Sequence, residues 1–146
     1  MNTVIARTPP HRAASGMLAG CGLWLVALGL YFIFVRPPLL PEDTRFMGSS
    51  LAQVRAALPG LEPWLQRVFT VLGGFMAGTG VLTVFVARVA MPSRLPGTSW
   101  ALGIGGALTV ALMSTTNFSL NSDFRWVLLV PALFWLAGLV LHIARR

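Results

Sequence analysis

The side chains that could do acid–base, nucleophilic or metal chemistry are few in this chain and stand far apart. There are two histidines, His11 and His142, one cysteine, Cys21, and four carboxylates, Glu42, Asp43, Glu62 and Asp123. A zinc site needs about four converging nitrogen, sulfur or oxygen ligands. Two histidines near opposite chain ends, one cysteine and no neighbouring carboxylate do not make such a set. A Ser–His–Asp or Cys–His arrangement is equally absent, because His142 stands alone among apolar residues. Its expected role is a half-wet residue at a membrane edge. No catalytic, cofactor-binding or metal-ligating residue is therefore assigned, and the chain is not read as an enzyme. Glu42-Asp43 beside Arg45 reads as a solvated loop whose charges pair with one another.

Two further patterns invite chemistry and are set aside. Leu18-Ala19-Gly20-Cys21 matches the bacterial lipobox, which would make Cys21 a lipidated N-terminus after cleavage. A signal peptide wants ~7–15 strongly apolar residues before the cleavage site. Here eight residues separate Arg12 from Cys21, and Ala13, Ala14, Ser15 and Gly16 are only weakly apolar. Cys21 is expected to be a small packing residue and, as the sole cysteine, cannot form an internal disulfide. Asn117-Phe118-Ser119 fits a glycosylation triplet but ends an apolar run.

The one concentration of polar side chains is Ser114-Thr115-Thr116-Asn117, with Ser119 and Asn121 beyond. Two readings stay open. Hydroxyls can bond their own backbone, so this is the end of a helix emerging into headgroups. Alternatively, Ser114 and Asn117 form the polar wall of a small cavity, with Thr79 or Thr83 opposite.

The elements that must carry these residues follow from where charge is missing. The chain has 146 residues, 55% of them hydrophobic and 10% charged, with eleven Arg and no Lys. Soluble domains average ~25% charged residues. Four windows, Ala13–Val35, Val68–Ala87, Leu95–Ser122 and Trp126–Ala144, hold 90 residues and no charge. A helix crosses ~30 Å of hydrocarbon in roughly 20 residues. The windows predict spans near Met17–Val35, Trp64–Val89, Ser99–Phe118 and Trp126–Ala144. Helices are favoured over strands because lipid leaves each segment to pair its own backbone groups. The fold class is all-α, an integral membrane four-helix bundle forming one domain over residues 1–146, with an extramembrane loop at 36–63. Trp64, Trp100 and Trp126 begin three of the spans and read as interfacial anchors. Trp24 and Trp135 lie mid-span and are expected to pack against small residues.

Helices in lipid associate through close packing, which small residues permit. Gly73, Gly74, Gly78 and Gly80 in the second span, with Gly103 and Gly106 in the third, are the candidate helix-packing positions. They predict that these two spans form the tight centre. Pro131 should bend the fourth span. In the long loop, Arg36-Pro37-Pro38 stops the first span. Ser50-Leu51-Ala52-Gln53 reads as a capping box. Met47, Leu51, Val54, Leu58 and Leu61 give a short amphipathic helix near Ser50–Leu58, ended by Pro59-Gly60.

Four spans put both termini on one side. Arg7, Arg12, Arg88, Arg94, Arg145 and Arg146 then share that side, while the other carries five Arg and all four acids. The arginines flanking the first span favour cytoplasmic termini. The net charge of +7 is spread one or two residues per loop, without a basic stripe alternating with aromatics. Nucleic acid is not an expected partner, and anionic headgroups are the natural counterpart.

Leu40-Pro41-Glu42-Asp43-Thr44-Arg45-Phe46-Met47-Gly48, followed by Ser50-Leu51-Ala52 and the Gly-rich second span, resembles a group of small, uncharacterised four-span bacterial inner-membrane proteins. The resemblance covers roughly Pro37 to Ala87 and carries no activity over to any residue. It implies a multi-pass protein of a bacterial inner membrane. The expected role is structural or accessory, through contacts with a second copy or a larger membrane protein. The alternative is a passive conduit or carrier for a small neutral or lipid-like molecule.

Overall fold

The computed structural model describes residues 9–93 and 95–144, with side chains from Arg12 onward. Arg7, Arg94, Arg145, Arg146 and the His11 side chain lie outside the described residues. Helix α1 runs Pro9–Phe34, α2 Pro41–Met47, α3 Leu51–Ala57 and α4 Leu61–Phe85, continued by a π-helical turn at Val86–Ala90. The third span is α5, Thr98–Gly106, a second π-helical turn at Ala107–Ala111, and α6, Leu112–Ser119; α7 is Arg125–Ile143. Four stretches, Arg12–Phe34, Leu61–Ala90, Thr98–Ser119 and Arg125–Ile143, are long and apolar enough to cross a bilayer. The protein is an all-α helical bundle and a multi-pass membrane protein. Its outer surface agrees: Phe75, Leu82, Phe85, Trp100, Leu108, Leu112 and Leu133 all point outward. Water would make that surface an aggregation hazard, whereas acyl chains are its natural solvent.

The short helices follow from local chemistry. Tyr31 O accepts from both Val35 N and Arg36 N at the end of α1, and Pro37 has no N–H to continue it. Pro41 opens α2, the Asp43 carboxylate accepts from Leu40 N at 2.7 Å, and Gly48 closes it at φ 65°. Ser50 and Gln53 make the expected reciprocal bonds, Ser50 N to Gln53 Oε1 at 2.8 Å and Gln53 N to Ser50 Oγ at 3.2 Å. Of the apolar residues of α3 only Val54 is buried, and Leu51 and Leu58 stay exposed.

Packing places α1 at the centre. It lies antiparallel against α4, and its other side meets α7. The α1–α4 contact is backbone on backbone. A Cβ on Gly22 would sit 2.7 Å from Gly80 O, and one on Gly29 would sit 2.5 Å from Gly73 O. The glycines are seven residues apart on each helix, so two turns of each bring both pairs together. Toward α7, a Cβ on Gly138 would meet Leu18 Cγ at 2.7 Å. The third span joins through side chains. Leu102 packs with Ala14, Leu18, Ala87 and Met91, and Val110 packs with Cys21 and Leu25. Cys21 is thus a buried packing residue. Trp135 of α7 donates its indole N–H to Leu102 O at 2.8 Å. Its ring occupies the space a Gly106 side chain would need.

Expectation and structure differ here. The second and third spans do not form the centre; α1 does. Gly73 and Gly80 are buried against α1, whereas Gly74 and Gly78 have open space where a Cβ would go. Gly103 is in ordinary contact, with Leu139 at 3.9 Å, and Gly106 admits Trp135. The reason is geometric: close approach needs small residues on both helices at matching heights, and α1 supplies them at Gly22 and Gly29.

The π-helical turn at the end of the second span leaves a carbonyl that another helix satisfies. Met91 N donates to Val86 O at 3.0 Å, so it is not available to Ala87 O. The next residue, Pro92, has no N–H. Ala87 O would be orphaned in a dry place at a cost of about 1–3 kcal/mol. The Ser15 hydroxyl of α1 donates to it instead.

Gly80→Ala should force α1 and α4 apart and cost about 1–3 kcal/mol. Gly78→Ala, with nothing within 4 Å, should be neutral or stabilising by up to ~1 kcal/mol. Thermal unfolding of the two variants in detergent micelles checks the contrast.

Candidate functional site

The structure gathers its polar side chains at the end of the bundle that carries the long loop. Arg36, one residue beyond the span window, is buried although charged. Its guanidinium lies 3.7 Å from the centre of the Phe69 ring and 5.3 Å from that of Phe32. It donates to Pro37 O at 2.8 Å and reaches Asp43 Oδ2 at 3.5 Å. Stacking on two rings and bonding local carbonyls offsets much of the desolvation of a lone cation.

Helix α2 is clamped to the turn between the third and fourth spans. Glu42 accepts from Ser122 Oγ at 3.1 Å and from Asp123 N at 2.8 Å. Ser122 Oγ in turn accepts from Phe124 N at 3.1 Å. Arg45 pairs with Asp123 at 3.0 Å, both largely exposed. The solvated, self-paired loop expected at Glu42, Asp43 and Arg45 is instead a helix whose three charges bond Ser122, Arg36 and Asp123. A separate bidentate pair joins Arg55 to Glu62 at 3.0 Å. Glu62 raises the Arg55 pKa, first by hydrogen bonding and then by charge.

Beneath α2 lies a cleft of about 310 Å³, lined by Pro38, Leu39, Phe46, Met47, Leu61, Leu65, Phe69 and Leu120, with Glu42, Asp43 and Ser122 as its polar members. That is the low end of the size range for small-molecule sites, and its character is theirs: apolar walls with a few placed polar groups. The sequence held signals for α2 in Pro41, the two acids of its first turn and Gly48. It held none for Ser122 or Asp123 as its partners.

The polar positions singled out in the spans do not converge. Thr83 Oγ1 donates to Thr79 O at 2.8 Å on its own helix. Asn117 Nδ2 donates to Met113 O at 2.8 Å, and Ser114 is buried. Thr79 instead lines an outward-facing groove of α4 with Val71, Gly74, Phe75, Gly78 and Leu82. Helix α4 makes no extensive contact with α6. His142 is also placed otherwise than expected: it is buried, at 7% exposure, near the end of α7. Among the described residues no group of three His, Cys, Asp or Glu could hold a metal ion.

Glu42→Ala should release α2 from the Ser122–Asp123 turn. Hydrogen exchange of the α2 amides should speed up by about tenfold, the equivalent of ~1.4 kcal/mol, while exchange in α1 stays unchanged. An unaltered α2 would show that the clamp does not hold it.

Comparison of the chain with protein-family models, with curated proteins and with solved structures finds no match.

Proposed function

We propose that this chain is a small accessory protein of a bacterial inner membrane that works by helix-to-helix contact. Its contact face is the outer side of α4. The observation that carries this reading is the open groove floored by Gly74 and Gly78, one turn apart, with nothing within 4 Å of where their side chains would be. Val71, Phe75, Thr79 and Leu82 form its walls. In lipid such a groove serves little purpose for a lone helix, since Gly only weakens it. For two helices it supplies the close approach that drives association. The glycines that hold the bundle together lie elsewhere, at Gly73 and Gly80, so the groove is surplus to the fold.

The conduit reading has less support, because Thr79, Thr83, Ser114 and Asn117 are not brought to a common space. The termini are assigned to the cytoplasm. Arg7 and Arg12 precede the first span and Arg36 alone follows it directly, and the bias around the first span usually sets the orientation.

Gly74→Leu should fill the groove and leave the bundle intact. A photo-crosslinking residue at Val71 should give a discrete adduct in native membranes, and Gly74→Leu should reduce that adduct by about tenfold or more. An undiminished adduct, or none with the parent chain, would defeat the assignment of this face.

A further inference from the structure

The cleft beneath α2 is independent of the α4 groove and has a definite charge character. Its lining contains two carboxylates, Glu42 and Asp43, and no basic side chain. Asp43 is neutralised by Arg36 at 3.5 Å. Glu42 is not: among the described residues its oxygens are met only by neutral donors, the Ser122 hydroxyl and the Asp123 backbone N–H. The nearby arginine, Arg45, is turned to Asp123 at 3.0 Å. Glu42 is therefore a half-buried carboxylate without a cationic partner in the lining of an apolar cleft that has Phe46 and Phe69 in its walls.

We propose that this cleft binds a compact amphiphilic ammonium, its cationic head against Glu42 and its apolar body among Leu61, Leu65, Phe69 and Leu120. Charge complementarity selects the head. An anion would be repelled by the Glu42 carboxylate. A neutral amphiphile would leave the carboxylate as it is and gain only the apolar term. Size selects the body. At water's share of ~30 Å³ per small group, 310 Å³ takes on the order of ten carbon-sized atoms. A lipid tail also gains nothing by leaving hydrocarbon for an apolar wall, whereas a small amphiphile arriving from water gains by burying its apolar surface. The clamp between α2 and the Ser122–Asp123 turn fixes Glu42 in the lining. The ammonium then meets a carboxylate already in position.

The test uses the full chain in dodecyl maltoside, an uncharged detergent, with empty micelles as background. Hexyltrimethylammonium, hexyl sulfate and hexanol are titrated by equilibrium dialysis. The expected result is saturable binding of about one ammonium per chain, at least tenfold tighter than the sulfate or the alcohol. Glu42→Gln keeps an amide oxygen for Ser122 and Asp123 and should weaken ammonium binding about tenfold with the unfolding midpoint unchanged. Leu65→Trp fills the cleft from its wall and should abolish binding while Glu42 stays in place. Equal binding of sulfate and ammonium, unchanged affinity in Glu42→Gln, or no saturable binding would each overturn the proposal. So would full competition by phosphatidylethanolamine at comparable concentration, which would make a lipid headgroup the occupant. The Val71 crosslink is read in the same variants, so failure here leaves the α4 reading standing and the converse also holds.

Discussion

In hydrocarbon, two leucine-covered helices gain nothing by touching, because lipid tails are as apolar as leucine. What brings helices together is the number of atoms that come within van der Waals range, each worth only about 0.1–0.2 kcal/mol. That sum is largest where backbones meet. In this protein they meet where Gly22 and Gly29 of α1 face Gly80 and Gly73 of α4. The rest of the bundle hangs on that contact. It fixes the height of α1, which sets Leu18 against Gly138 of α7 and Ser15 under the Ala87 carbonyl. Trp135 then reaches from α7 into the notch at Gly106 of the third span.

The loop end obeys a different rule, because water is near and charge is affordable. A seven-residue helix such as α2 is far below the length at which a helix is stable alone. It exists because its side chains are bonded at three separate points, to Arg36, Ser122 and Asp123. The same bonds roof the cleft. Arg36 joins the two regimes: it is the last residue before the proline pair, and its guanidinium rests on Phe69 of α4. The heights of α1 and α4 relative to each other are thus set twice, by glycine in the lipid and by an arginine on a phenyl ring at its edge.

The spans were legible because charge is excluded from hydrocarbon, and absence of charge is a property of one segment at a time. Their ends were less so. The first helix already includes Pro9, eight residues before the expected start at Met17, since the small and polar residues between them carry no apolar signature. The capping box at Ser50 was legible because both partners lie within four residues. Partner choice was not. The glycine spacing that draws the eye is four, at Gly74 and Gly78, whereas the spacing that packs is seven, and recognising it requires pairing two helices at once. Nothing local marks Asp123, 78 residues away, as the partner of Arg45 in place of its neighbours Glu42 and Asp43. The π-helical turns were invisible for the same reason, although Pro92 explains why the Ala87 carbonyl needs Ser15.

Helix α4 therefore carries two small-residue stripes of different period on different faces. A seven-residue repeat suits helices wound gently in a left-handed sense, at crossing angles near +20°. A four-residue repeat suits a steeper, right-handed crossing near −40°. A helix seated over Gly74 and Gly78 would then slant across the bundle, diverging from α1 and its neighbours toward both faces of the bilayer. Two wedges would open above and below the crossing, and acyl chains would have to fill them. The seam would be short, and its strength would vary with the lipids available to occupy those wedges.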